Sequence, residues 1–149
     1  MARGPSAILP LLVIVAGCVG DGTGLDPNGD PDSGPPPPGG VRFGADIQPI
    51  FTANCAFSGC HGSVSPQLGQ NLSAGRAYAS IVGVPSAEVP ALDRVEPSDP
   101  DASYLVHKIQ GTQASVGGFG GRMPLGAGAL PADEIQLIRA WIAAGALDN

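Results

Sequence analysis

Two cysteines and a histidine fall within seven residues of this sequence, from Cys55 to His61. Four residues separate the cysteines, and His61 follows Cys60 directly. Covalent haem attachment needs these three groups, because each thiol forms a thioether with a haem vinyl group and the adjacent imidazole binds the iron from one face. The usual spacing is two residues. The motif predicts a domain folded around one haem c, attached at Cys55 and Cys60.

Composition limits the rest of the chain. The 149 residues include 23 Gly and 16 Pro but only four Phe, two Tyr and one Trp, so a core has few large side chains. A buried haem would supply apolar volume. The net charge of −6, with no basic stretch, argues against a nucleic-acid partner.

The N-terminal residues have the pattern of an export signal. Arg3 precedes a short apolar run, Ile8 to Val15, which is too short to span a bilayer. The run ends in Val15-Ala16-Gly17-Cys18, which resembles the lipobox of bacterial lipoproteins. That resemblance implies a signal peptide over residues 1–17 and acylation of Cys18, which would anchor the protein in a lipid bilayer. The alternative is an ordinary signal peptide with Cys18 as a bystander.

The absence of Asp after Cys18 favours, by the rule for such lipoproteins, the outer over the inner membrane, on its periplasmic side. Residues 18–41 contain the run Pro35 to Pro38 and several Asp and Gly residues, a composition that cannot bury enough apolar surface to fold. We therefore expect an acylated, disordered linker before a domain over residues 42–149.

The domain is expected to be all-α, since no alternating strand pattern occurs. Helices are predicted from an N-cap at Asp46 to Asn54, over Ser73–Val82, from an N-cap at Asp99 to Gly111, and from near Pro131 to Gly145.

Three further residues are candidates for the haem site. Met123 is the only methionine besides the initiator, and it lies in a Gly-rich loop where it could approach the iron opposite His61. The alternative for Met123 is a gap-filling core side chain. His107 is the rival distal ligand. Arg122 has two equally weighted roles. Its guanidinium could pair with a haem propionate, or it could be a solvated charge in the loop.

Residues 43–147 resemble the cytochrome c-like haem domains of bacterial lipoproteins. The similarity lies in the helix before the motif, Cys55, Cys60 and His61, and the stretch Arg94 to Leu105. It extends to Arg122-Met123-Pro124 and to a closing helix that contains Trp141 to Ala146. The resemblance implies that the first and last helices cross with the haem in their cleft. It also implies His61 as proximal and Met123 as distal ligand. The carbonyl of Pro66 is the candidate acceptor for the other ring proton of His61, and the alternative is a loop proline without a special role.

The expected function is single-electron transfer to a redox partner protein, which makes the chain an electron carrier and not an enzyme. The main alternative is a haem-free lipoprotein module for binding or scaffolding, with a Cys55–Cys60 disulfide. A zinc site with His107 is disfavoured, because the adjacent Cys60 and His61 do not easily bind one tetrahedral ion. A thiol oxidoreductase is disfavoured by the spacing of the cysteines.

Overall fold

The computed structural model describes Met1 and residues 40–149. Residues 40–149 belong to the second of two compact units, Ser33–Asn149. Apart from Met1, the predicted signal peptide, Cys18 and nearly all of the linker lie outside the described residues. Residues 40–149 form four α-helices in chain order: α1 Gln48–Asn54, α2 Ala77–Ile81, α3 Tyr104–Gln110 and α4 Ala132–Ala143. Short helical turns occur at Phe43–Ile47, Gln67–Gly69 and Gln113–Val116.

Helices are the only regular elements in the described part of the chain, which confirms the all-α prediction there. In residues 40–149, pairing between extended segments is limited to isolated bridges, such as the one between Val82 and Val95. None of the helices described is long and apolar enough to cross a membrane.

The first helical segment begins earlier than predicted. A π-helical turn over Phe43–Ile47 runs directly into α1, and the residue before it is Arg42. The Asp46 carboxylate accepts a hydrogen bond of 2.7 Å from the Arg42 backbone N–H. Asp46 is therefore not the N-cap residue. It lies within the first turn, and its side chain accepts the N–H of the N-cap residue, Arg42.

The two middle helices are shorter than predicted. Helix α2 covers only five residues, Ala77–Ile81. Helix α3 starts at Tyr104 because the Asp99 carboxylate accepts hydrogen bonds from the N–H groups of Asp101 and Ala102, which holds those residues in a turn. Its end at Gly111, which has a left-handed φ of 80°, agrees with the prediction.

Helix α4 agrees with the prediction at both ends. Pro131 precedes its first residue, and the chain leaves the helix through Gly145 with a φ of 103°. The N–H groups of Gly145 and Ala146 donate to the carbonyls of Ile142 and Trp141, which is the Schellman pattern. The apolar positions of α4 thus reach the core in a fixed register.

The core lies where α4 meets the first helical segment. Trp141 is fully buried, and its ring centroid lies 5.1 Å from that of Phe43. Phe43 also packs edge-to-face against Phe51 and Tyr78. Helices α3 and α4 are in contact on the other side. A cavity is lined by residues of α3 and by Asn54, the last residue of α1.

Candidate functional site

A cavity of about 610 Å³ contains the predicted site. Cys55, Cys60, His61 and Met123 all line it. Its volume falls in the range of about 300–1,000 Å³ typical of small-molecule and cofactor sites. Apolar side chains form much of the remaining wall: Leu68, Leu72, Leu105, Ile109, Pro124 and Leu125. Cys55 and Met123 thus line the same cavity, although they lie 68 positions apart in the sequence.

The segment from Cys55 to Gly62 is a tight loop closed by its own backbone. The His61 N–H donates to the Cys55 carbonyl at 3.1 Å, and the Gly62 N–H donates to the Phe57 carbonyl at 2.9 Å. A Cβ at Gly62 would lie only 2.7 Å from that Phe57 oxygen, so only glycine allows this approach. The loop therefore presents both thiols and the imidazole to the cavity over a wider spacing than usual.

The imidazole of His61 is oriented by a backbone carbonyl. Nδ1 lies 3.0 Å from the Gln70 oxygen, and because a carbonyl only accepts, the proton is on Nδ1. Nε2 then carries the lone pair. Burial lowers the pKa of His61, so the ring stays neutral at pH 7. This is the state in which a histidine binds iron.

The acceptor for His61 is not the residue expected from the resemblance. The Pro66 carbonyl accepts the N–H of Gly69 at 3.1 Å instead, within the turn Gln67–Gly69. The turn brings Gln70, four residues further along, under the ring. The structure thus assigns to Gln70 the contact predicted for Pro66.

The two cysteines of the motif are free thiols with different surroundings. Cys55 is half-buried at the end of α1, and Cys60 is exposed. Burial, together with the negative charge of Glu134, raises the pKa of Cys55 to about 11. Cys55 is therefore a protonated thiol at neutral pH.

We expect this pKa to slow the alkylation of Cys55 in the haem-free, full-length protein. With Cys18→Ser and Cys60→Ser, Cys55 is the only thiol left of the three. Because the thiolate is the reactive form, its iodoacetamide reaction at pH 8 should be roughly a hundredfold slower than for a thiol of pKa 9.0. The same variant in urea gives the reference rate. A folded rate that levels off near pH 9, instead of rising through pH 10, would contradict the assigned pKa.

Met123 is held at the cavity by helix α3. Its N–H donates to the Lys108 carbonyl at 2.9 Å. The preceding Gly-rich loop is fastened to the same helix by the Lys108 ammonium, which donates to the Phe119 carbonyl at 3.0 Å. The Tyr104 hydroxyl lies so close to Gly118 that a Cβ there would overlap it. These hydrogen bonds and this close packing thus fix the backbone position of Met123.

Lys108, Glu88 and Tyr104 form a buried polar cluster on the cavity wall. Lys108 forms an ion pair of 3.3 Å with Glu88, and both side chains are nine-tenths buried. The Tyr104 hydroxyl donates to the same carboxylate. Burial and the nearby carboxylate raise the pKa of Tyr104, so the phenol stays neutral. No sequence motif pairs Glu88 with Tyr104 and Lys108, because Glu88 lies in the irregular segment before α3 while the other two lie on α3.

Two of the predicted candidates lie outside the cavity. Arg122 is exposed, and its aliphatic stem packs over Gly111. His107 uses both ring nitrogens, at 2.9 Å from the Thr112 hydroxyl and 2.9 Å from the Asp101 carbonyl. Among the residues that the structure describes, no group of three or more His, Cys, Asp and Glu side chains is placed to hold a metal ion. A zinc site that includes His107 is therefore not formed there.

The donor set of the cavity fits a haem. It combines apolar walls, two thiols, a neutral imidazole with a free Nε2 lone pair and a thioether. These are the groups that attach and ligate a haem c.

Comparisons with known proteins give little further information. No family model matches the chain, and no curated protein matches it. A solved structure of Kuenenia stuttgartiensis hydrazine synthase is similar over 71% of this chain, at 29% sequence identity and a TM-score of 0.48. The match covers 16% of the hydrazine synthase chain.

Proposed function

We propose that this protein is a membrane-tethered c-type cytochrome that transfers single electrons. One haem c would be attached at Cys55 and Cys60 and ligated by His61 and Met123. The observation that carries the proposal is the shared cavity, in which both thiols, the oriented imidazole and the thioether line one enclosure. Acylated Cys18 would tether the domain to the periplasmic side of a membrane, the outer membrane in preference to the inner.

The residues around His61 prepare it as the proximal ligand. The hydrogen bond from Nδ1 to the Gln70 carbonyl fixes the ring orientation and directs the Nε2 lone pair away from that contact. A donated Nδ1 proton also raises the basicity of Nε2 as a ligand. The neighbouring N–H of Leu72 donates to the His61 carbonyl at 2.7 Å, which holds the backbone at this point.

The residues on the opposite wall prepare Met123. Lys108 anchors the loop twice, through its carbonyl at Met123 and through its ammonium at Phe119. The ion pair with Glu88 keeps that ammonium in place. A ligand held in this way changes position little between oxidation states, which suits electron transfer.

The haem and the protein would contribute different parts of the chemistry. A bound haem supplies a one-electron ferric/ferrous couple. The protein's apolar side chains, including Leu72, Leu105 and Ile109, exclude water from the cavity and so influence the reduction potential. The redox partner would be another protein.

A pyridine haemochrome spectrum tests this proposal. The full-length protein would be exported in a host with the c-type maturation machinery, denatured and reduced. We expect haem that stays with the polypeptide, at the band position of two thioether bonds. Cys55→Ser and Cys60→Ser should each shift the band to that of one thioether. A colourless wild-type protein in which Cys55 and Cys60 are oxidised to each other would overturn the proposal and favour the haem-free module.

A further inference from the structure

Arg94 is a buried cation on the wall of the cavity. It lies in the irregular segment between α2 and α3, and its exposed fraction is 9%. Its Nη1 and Nη2 atoms donate to the carbonyls of Ser80 and Leu68, at 2.7 Å and 2.8 Å. In the part of the chain that the structure describes, it has no carboxylate partner.

The other ionisable groups that line the cavity leave this charge uncompensated. Lys108 and Glu88 neutralise each other, and Tyr104 bonds to the same carboxylate. Among the described residues that line the cavity, Glu88 is the only carboxylate. The cavity wall therefore carries the net positive charge of Arg94.

An uncompensated guanidinium at this depth is unfavourable without an anion. A charge taken out of water is tolerated when it is paired and hydrogen-bonded. The two carbonyl contacts use two of the five N–H donors of the guanidinium. Donors therefore remain for a planar two-oxygen acceptor, which a guanidinium binds in bidentate fashion.

We propose that Arg94 is the anion-binding residue of the cavity and that it pairs with one carboxylate of the cavity's occupant. The inference rests on the proposed function, in which the occupant is a haem and the carboxylate is a propionate. It replaces Arg122 in the role considered from the sequence, because Arg122 is exposed and does not line the cavity. The two carbonyl contacts hold the Arg94 side chain in position for this pairing.

The pH dependence of the reduction potential tests the pairing. A guanidinium beside a carboxylate lowers the pKa of that carboxylate by about 1–3 units. In haem-loaded, full-length protein, Arg94→Gln should therefore raise the proton affinity of the propionate at least about tenfold. The midpoint of the pH-dependent part of the potential should move upward accordingly.

Two further variants separate charge from structure. Arg94→Lys keeps a cation at the cavity wall and should restore a midpoint close to that of the wild type. Arg122→Gln removes an exposed charge and should leave the midpoint unchanged. The other titrating groups, His107 and Glu88 included, are the same in all four proteins.

The outcomes distinguish this inference from the proposed function. If the wild-type protein is loaded with haem and Arg94→Gln leaves the midpoint unchanged, the pairing is wrong while the cytochrome function stands. If the wild-type protein holds no haem, the cytochrome function fails and the propionate assignment fails with it. An upward shift in Arg94→Gln alone supports the pairing.

A measurement on the wild-type protein covers the case in which Arg94→Gln does not fold. Redox-difference infrared spectra with ¹³C-labelled propionates report the ionisation of those carboxyls directly. At least one labelled carboxyl should keep its ionised band at pH 5, because Arg94 opposes the effect of burial. Protonation of both labelled carboxyls above pH 5 would overturn the pairing.

Discussion

Met123→Leu should abolish the sulfur-to-iron charge-transfer band of the ferric protein while the haem stays attached. Leucine has a similar volume, so the half-buried site is filled as before, but it has no lone pair to offer the iron. The backbone contact from residue 123 to the Lys108 carbonyl does not depend on the side chain. The substitution therefore removes the sulfur ligand and little else.

The reduction potential should fall together with the loss of the band. A thioether opposite an imidazole raises the potential of a haem relative to the same haem without it. Near-infrared absorption and potentiometric titration of the wild-type and Met123→Leu proteins measure both effects. Cys55 and Cys60 are untouched, so the pyridine haemochrome spectrum should be the same in the two proteins.

His107→Gln is the matched control. Both ring nitrogens of His107 are occupied by protein contacts, and the residue does not line the cavity. The band and the potential should both survive this change. A wild-type protein without the band, whose potential changes in His107→Gln but not in Met123→Leu, would make His107 the distal ligand and would refute the assignment of Met123.

The features that could be predicted from the sequence each depend on a few residues that lie close together in the chain. Helix α4 has an apolar residue at each turn, a proline before its start and a glycine after its end, so periodicity and caps agree. The motif Cys55 to His61 and the lone Met123 stand out by residue type. That they line one cavity is seen only in the structure.

The start of α3 could not be predicted because Asp99 has two competing uses. A carboxylate before a proline serves as a helix N-cap or closes a local turn on its own backbone. In the structure the turn is formed, and the Asp99 carboxylate accepts a hydrogen bond of 3.0 Å from the N–H of Ala102. The helix begins only at Tyr104. Sequence alone does not separate these outcomes, since both need the same residue in the same place.

The polar residues of the site could not be found from the sequence for a different reason. Gln70 acts through its carbonyl, which every residue has, so its side chain carries no signal. Arg94 and Glu88 lie in an irregular segment with no periodicity from which burial can be predicted. Arg122 is the arginine that the sequence suggests, because it adjoins Met123, but it is exposed while Arg94 is buried. Tertiary packing decides which of the two arginines is buried.

Trp141→Ala should lower the free energy of unfolding by about 3–5 kcal/mol. Trp141 is the only tryptophan, and its side chain is fully buried at the contact between α4 and the first helical segment. It packs against Phe43, and its Nε1–H donates to the Leu147 carbonyl at 2.9 Å. Removing it leaves a cavity at the centre of a core with few other large side chains. Since small domains are stable by only about 5–15 kcal/mol, most of the stability should be lost.

Urea unfolding of wild-type and variant proteins with equal haem content measures this effect. The midpoint should fall sharply while the slope stays the same, because the surface exposed on unfolding changes little. Phe119→Ala is the control, since it also removes an aromatic ring but from a position that is 65% exposed, and it should leave the midpoint nearly unchanged. Trp141→Phe should give a smaller loss than alanine, because the ring contact with Phe43 is largely kept. Equal losses in Trp141→Ala and Phe119→Ala would mean that the core is not organised around Trp141, and that the cavity draws its support from other contacts.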